Sequence, residues 1–184
     1  QRLSLQVALV LMELNLESAI DPLLKITREG SPRGKELAAR VLGACAAPRR
    51  VNETLITLYT DQKEISRITL LTALAQLDSD EGLTFVKARI SSDDVEEGKS
   101  AITALAATAS ATAGPEIMAL ALSPSDAAKY IKQICAYYSA CPSVFNRQHA
   151  EALLQLTESK RLSIEDRIAL LNVLIENEKH WPSD

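Results

Sequence analysis

Aromatic residues make up only 4% of this 184-residue chain. A core with so few rings has to be built from Leu, Ile, Val and Ala, and an apolar content of 47% supplies them. Small aliphatic side chains let helices approach closely, which suits stacked helical pairs. Cysteine is also scarce. Cys45, Cys135 and Cys141 make no disulfide framework. Cys45 occupies a recurring apolar position and reads as a buried small hydrophobe. Cys135 and Cys141 point to different faces of one helix, which Cys141-Pro142 ends. A reducing, cytoplasmic compartment is the expectation. Long apolar runs are missing too: Val7 to Met12 is far short of the roughly 20 residues a membrane span needs. There is no excess of positive charge, with 20 basic and 24 acidic residues and a net charge of -4. Nucleic acid binding calls for a basic face, so it is not expected. The six glycines and seven prolines fall mostly between apolar runs, as punctuation.

What is present is a pattern that returns. Ala8 to Leu14 is echoed by Ala39 to Cys45, Ile68 to Leu74, Ala101 to Ala107, Ile131 to Tyr137 and Ile168 to Leu174. The steps are 31, 29, 33, 30 and 37 residues. A second series keeps nearly the same step: Pro22 to Ile26, Thr54 to Leu58, Thr84 to Ala88, Met118 to Leu122 and Ala152 to Leu156. Recurrence near 30 residues points to stacked helical repeats. Apolar residues at i, i+3, i+4 and i+7 argue helix rather than strand throughout. Each unit reads as a first helix carrying the first series and a second helix carrying the second.

The punctuation agrees. Ser31-Pro32 opens a helix with a cap followed by proline at the first position. Asp93-Asp94 and Ser125-Asp126 place carboxylates at helix starts, where the helix dipole favours them. Ser163 with Asp166 resembles a capping box. Gly114-Pro115-Glu116 opens another helix. The resulting map places helices at 3–15, 18–29, 33–46, 51–60, 63–77, 80–91, 94–109, 114–122, 126–140, 146–159 and 163–177.

The two ends differ. The first helix is apolar nearly all round from Leu5 to Leu14, whereas a terminal repeat shows a polar outer face to water. Further repeats upstream are therefore expected, with residues 1–184 forming a single helical-repeat domain in the C-terminal part of a longer chain. Self-association through this first helix is a further expectation. The last helix has no second helix after it, and the tail from Glu178 to Asp184, polar apart from Trp181, is expected to fold back over it.

Arg40-Val41-Leu42-Gly43 and Asp166-Arg167-Ile168-Ala169, with the looser Arg67, Leu70-Leu71 and Ala73-Leu74, resemble the first helix of short bacterial HEAT-like repeats. The resemblance covers nearly the whole chain at the level of pattern. It departs in the fourth unit, where Thr103 and Thr108 stand in an alanine-rich stretch, and in the fifth, which inserts a turn from Cys141 to Asn146. It implies an all-α fold, a right-handed α-α superhelix of about five to six helical pairs. It also implies protein partners held on the surface lined by the second helices.

Sites for chemistry are few. Asp78-Ser79-Asp80-Glu81-Gly82 begins like a calcium loop, but Gly82 and Arg89 stand where such a loop needs its fifth and twelfth ligands. It reads instead as a helix-capping turn. His149 and His180 have no Cys or His at metal spacing. Cys141 and His149 are close in sequence, yet nothing else marks them as a thiol–imidazole pair. No nucleophile elbow, phosphate loop or dinucleotide glycine pattern occurs. No metal, no cofactor and no catalysis are expected.

Two features suggest partner contacts. Lys25, Thr57, Lys87, Ala121 and Gln155 hold equivalent places on the second helices and would form a ladder. Lys25 and Lys87, with Arg28 and Arg89 nearby, would make part of it basic and suited to an acidic or phosphorylated segment. Tyr130, Tyr137, Tyr138 and Phe145 concentrate the aromatics in the fifth unit, and aromatics are over-represented in binding hot spots. Tyr137 holds a core position, which leaves Tyr138 as the residue expected at the surface. The leading reading is a protein-interaction scaffold without catalysis. The alternatives are an enzyme on a HEAT-like frame, of bilin lyase or glycosylase type, and a structural spacer within a larger assembly.

Overall fold

The computed structural model describes Val10 and residues 19–45, 48–61 and 64–180. Among them are ten α-helices and no strand. They are α1 (Ile20–Glu29), α2 (Pro32–Leu42), α3 (Pro48–Asp61), α4 (Arg67–Gln76) and α5 (Asp80–Ile90), then α6 (Val95–Ala107), α7 (Gly114–Leu122), α8 (Pro124–Ala140), α9 (Arg147–Thr157) and α10 (Ile164–Glu176). Every helix expected from residue 18 onward is present, with ends shifted by at most a few residues. The helix expected at 3–15 lies outside the described residues apart from Val10, as does the tail beyond His180. Glu178–His180 forms a short 3-10 turn that packs against α10.

Helix starts are set by side chains. Ser31 accepts from the Gly34 N–H at 3.3 Å, and Asp94 accepts from the N–H groups of Glu96 and Glu97 at 3.0 and 3.4 Å. Ser163 accepts from the Asp166 N–H at 3.1 Å while its hydroxyl donates to the Asp166 carboxylate at 2.9 Å. The Asp78–Gly82 segment is a cap as expected, with Ser79 Oγ accepting from the Gly82 N–H at 3.1 Å. One start differs. Helix α8 begins at Pro124 behind Ser123, and Asp126 accepts from the Ser123 hydroxyl instead of standing at the cap itself. Proline at the first position moves the boundary back two residues.

The chain forms two compact units, Gln1–Arg89 and Ile90–Asp184. In the first, α1 packs on α2 and α3 on α4, while α2 stacks on α4 and α1 touches α3. In the second, α7 packs on α8 and α9 on α10. The series α6, α8, α10 stacks in order, and α7 lies on α9. Pairing thus joins the second-series helices α1, α3, α7 and α9 to the first-series helices that follow them, one helix out of phase with the units expected from sequence. The partner of the last helix, α10, is the helix before it, α9.

Leu23, Leu42, Leu55, Leu70, Leu71 and Leu74 fill the first core, and Ile102, Leu105, Ile117, Tyr137 and Tyr138 are among the largest fully buried residues of the second. Gly43 at the end of α2 meets α4 so closely that a Cβ there would stand 2.8 Å from Ala73 Cα. Small residues at this crossing let two backbones touch.

Candidate functional site

The helices α1 and α3 lie side by side and leave an open groove between them. It contains two adjoining hollows of about 390 and 560 Å³. Arg28, Glu53, Thr54, Thr57, Leu58 and Asp61 line one; Asp21, Leu24, Lys25, Arg28, Glu29, Arg50, Glu53 and Thr54 line the other. Helical spacing explains the arrangement. Lys25, Arg28 and Glu29 share one face of α1, and Arg50, Glu53, Thr54 and Thr57 share one face of α3. Leu23 on α1 and Leu55 on α3 bury the other sides.

The groove carries both signs. Lys25, Arg28 and Arg50 stand among Asp21, Glu29, Glu53 and Asp61. Lys25 pairs with Glu29 at 3.9 Å, and Arg50 pairs with Asp21 across the groove. Arg28 donates to Thr54 Oγ1 at 3.4 Å. These ion pairs are exposed and individually weak, so a ligand can exchange them for its own contacts at little cost.

The sequence-derived site residues separate. Lys25 and Arg28 line the groove, while Lys87 is half-buried on α5 and lines neither hollow. Arg89 is a stacking residue. Its guanidinium sits 4.0 Å from the Phe85 ring centre and 5.8 Å from that of Tyr59, within reach for a cation–π contact. Tyr59 and Phe85 meet edge to face at 5.4 Å, and Arg67 lies 5.9 Å from Tyr59. The expected basic ladder is therefore corrected to a mixed-charge groove. It does not continue at Ala121, which is buried.

Tyr138 is corrected as well: it is fully buried. Helix α8 packs against α6, α7 and α10, so a position that would face solvent on a two-sided helix is enclosed. The Tyr138 ring meets Tyr137, Phe145 and His149 edge to face at 5.7, 5.5 and 5.3 Å. Tyr137 donates to the Ser110 carbonyl at 2.8 Å. This aromatic cluster is core rather than a hot spot.

Cys141 and His149 are both buried. Burial pushes the Cys141 thiol up, a hydrogen bond with Tyr137 only partly opposing it, and burial pushes the His149 imidazole down. Both rest neutral, the opposite of the thiolate a nucleophile needs. Cys135, also desolvated, is pushed up to about 11.

Residues 20–106, just under half of the chain, match the family model for HEAT repeats. Residues 20–106 are HEAT repeats. The match opens on the first residue of α1 and closes one residue before the end of α6, so it spans α1/α2, α3/α4 and α5/α6. Counted from there, the HEAT pairs run in the phase in which the helices pack. The groove then lies between first helices, and the second helices are α2, α4 and α6. The chain matches no curated protein. Among the described residues, no helix is long and apolar enough to cross a membrane.

Proposed function

We propose that this helical-repeat scaffold is a protein-interaction module and that its α1–α3 groove takes an extended, charged segment of a partner. The observation that carries the reading is the groove itself. It is open and roomy enough for a peptide, and it offers paired charges of both signs on two rigid helices. Arg28 stands at its centre and lines both hollows. A segment alternating acidic and basic residues exchanges its charges with the Lys25–Glu29 and Asp21–Arg50 pairs, which favours specificity over raw affinity. The hollows, rather than the family's habit of binding along second helices, are what supports this placement. The module acts by holding its partner, with no chemistry of its own.

The test is affinity capture from native lysate with the wild-type chain and with a Lys25→Glu, Arg28→Glu, Arg50→Glu variant. The reading expects a stoichiometric partner that the wild type retains and the variant loses, with thermal stability unchanged. Retention by both contradicts it.

A further inference from the structure

We infer that the smaller hollow of the groove, between Arg28 and Asp61, takes a basic side chain, lysine or arginine, of the partner segment. The inference rests on the α1–α3 groove reading and adds which charge of the partner goes where.

The two hollows differ in charge. The larger balances Lys25, Arg28 and Arg50 against Asp21, Glu29 and Glu53. In the smaller, of about 390 Å³, Arg28 alone faces Glu53 and Asp61, so negative charge is in excess. The carboxylates found only in the larger hollow are already paired, Asp21 with Arg50 and Glu29 with Lys25. Among the described residues, Glu53 and Asp61 take no ion pair. Arg28 donates to the neutral Thr54 hydroxyl rather than to either of them.

The end of α3 adds to the excess. Asp21 and Arg50, each in the first turn of its helix, meet at one end of the groove. Arg28, in the last turn of α1, reaches Thr54 further along α3, so the two helices run in the same direction. The smaller hollow, lined by Thr57, Leu58 and Asp61, therefore lies toward the C-terminal end of α3. A helix C-terminus carries partial negative charge, which cations offset. Helix α1 places Arg28 in its last turn and α5 places Lys87 and Arg89 there. Helix α3 has no basic residue in its last turn and closes on Asp61. A carboxylate thus stands on a negative helix end, which destabilises the free chain and which a bound cation relieves.

The lining suits a long cationic side chain. Leu58 is buried at the hollow and gives an alkyl stem an apolar seat. Thr57 donates to the Glu53 carbonyl at 2.7 Å, which leaves its own oxygen to accept. Ammonium and guanidinium groups only donate, so they match an acceptor from Thr57 and two carboxylates. An acidic side chain would meet like charge.

The probes are short capped Gly/Ser peptides carrying one central lysine, norleucine or glutamate, titrated into the isotope-labelled full chain and followed by amide chemical shifts. The lysine peptide should shift Thr57, Leu58 and Asp61 saturably in the millimolar range expected of one exposed charge pair. The other two peptides should not. The Glu53→Gln, Asp61→Asn double variant should weaken the lysine peptide at least tenfold, and Asp61→Asn alone should raise the thermal midpoint of the free chain. Unmoved signals, equal shifts with norleucine, or binding that survives the double variant overturn the inference, as does a lowered midpoint in Asp61→Asn. Affinity capture separates it from the groove reading. A partner that the double variant retains and the Lys25→Glu, Arg28→Glu, Arg50→Glu variant loses overturns the basic subsite and leaves the groove standing. Capture of no partner by the wild type contradicts the groove reading, while the peptide titration still decides the subsite.

Discussion

Glu36 and Ser66, one repeat apart in the chain, are joined by two hydrogen bonds. The Glu36 carboxylate on α2 accepts from both the Ser66 N–H and the Ser66 hydroxyl at 3.0 Å. Ser66 is the cap of α4, and the Thr69 hydroxyl one turn later donates to the same carboxylate. One side chain thus ties the start of a helix to the helix beneath it. Asn52 and Ser79 repeat the device between α3 and α5 at 2.5 Å.

Replacing Glu36 by Ala should cost about 1 kcal/mol, because the Ser66 donors are exposed and return to water while only the Thr69 hydroxyl is left buried. Glu36→Gln, which keeps an acceptor, should cost less. Urea denaturation followed by circular dichroism measures both.

Gly43→Ala places a methyl 2.8 Å from the Ala73 backbone. Neither helix can yield locally, so the stack must shift, and a loss of about 1–3 kcal/mol is expected for such overpacking. The backbone angles at Gly43 are helical, so the whole effect is steric. An unchanged thermal midpoint would show that α2 and α4 are less closely apposed than described.

Ala109 follows α6 with φ at 49°, in the left-handed region. The Ser110 N–H reaches back to the Leu105 carbonyl at 3.0 Å and closes the helix end. An alanine there is strained by its Cβ, while glycine is not. Ala109→Gly should raise stability by about 0.5–1 kcal/mol, the reverse of the usual sign for this substitution.

His149 makes stability depend on pH. Burial lowers its pKa below the unfolded value of about 6.5. Between those two values the unfolded chain binds the proton and the folded chain does not. The contribution is therefore full above about pH 6.5 and is lost as pH falls below it. Glu36 adds a second loss in stronger acid. Burial raises its pKa, but the Thr69 and Ser66 hydrogen bonds and the Arg40 charge outweigh this, and it ends below the unfolded value of about 4.3. Denaturation midpoints should fall from pH 7 to pH 5, and His149→Phe should flatten that part of the profile.

The helices were legible in the sequence because each kept its apolar period and many carried a side-chain cap, as Ser31, Asp94 and Ser163 show. Which helix pairs with which was not. A helix inside a stack is apolar on several sides, so its pattern does not say which neighbour lies where. Tyr138 was misplaced for the same reason: three packed neighbours leave α8 little free surface. Of the residues that line the groove, Lys25 is legible from its recurring place in the repeat and Arg28 from standing near it. Arg50, Glu53 and Asp21 were missed, because only the crossing of α1 and α3 brings them together. Arg89 looked like a surface charge; Phe85 lies one turn before it on the same face of α5, but the Tyr59 ring is brought to it only by the fold.

The most direct test of the central claim is hydrogen–deuterium exchange of the chain alone and with its captured partner. The account predicts added protection in residues 20–29 and 48–61, the two walls of the groove. Protection confined to α2 and α4, or to residues 90–184, would contradict it.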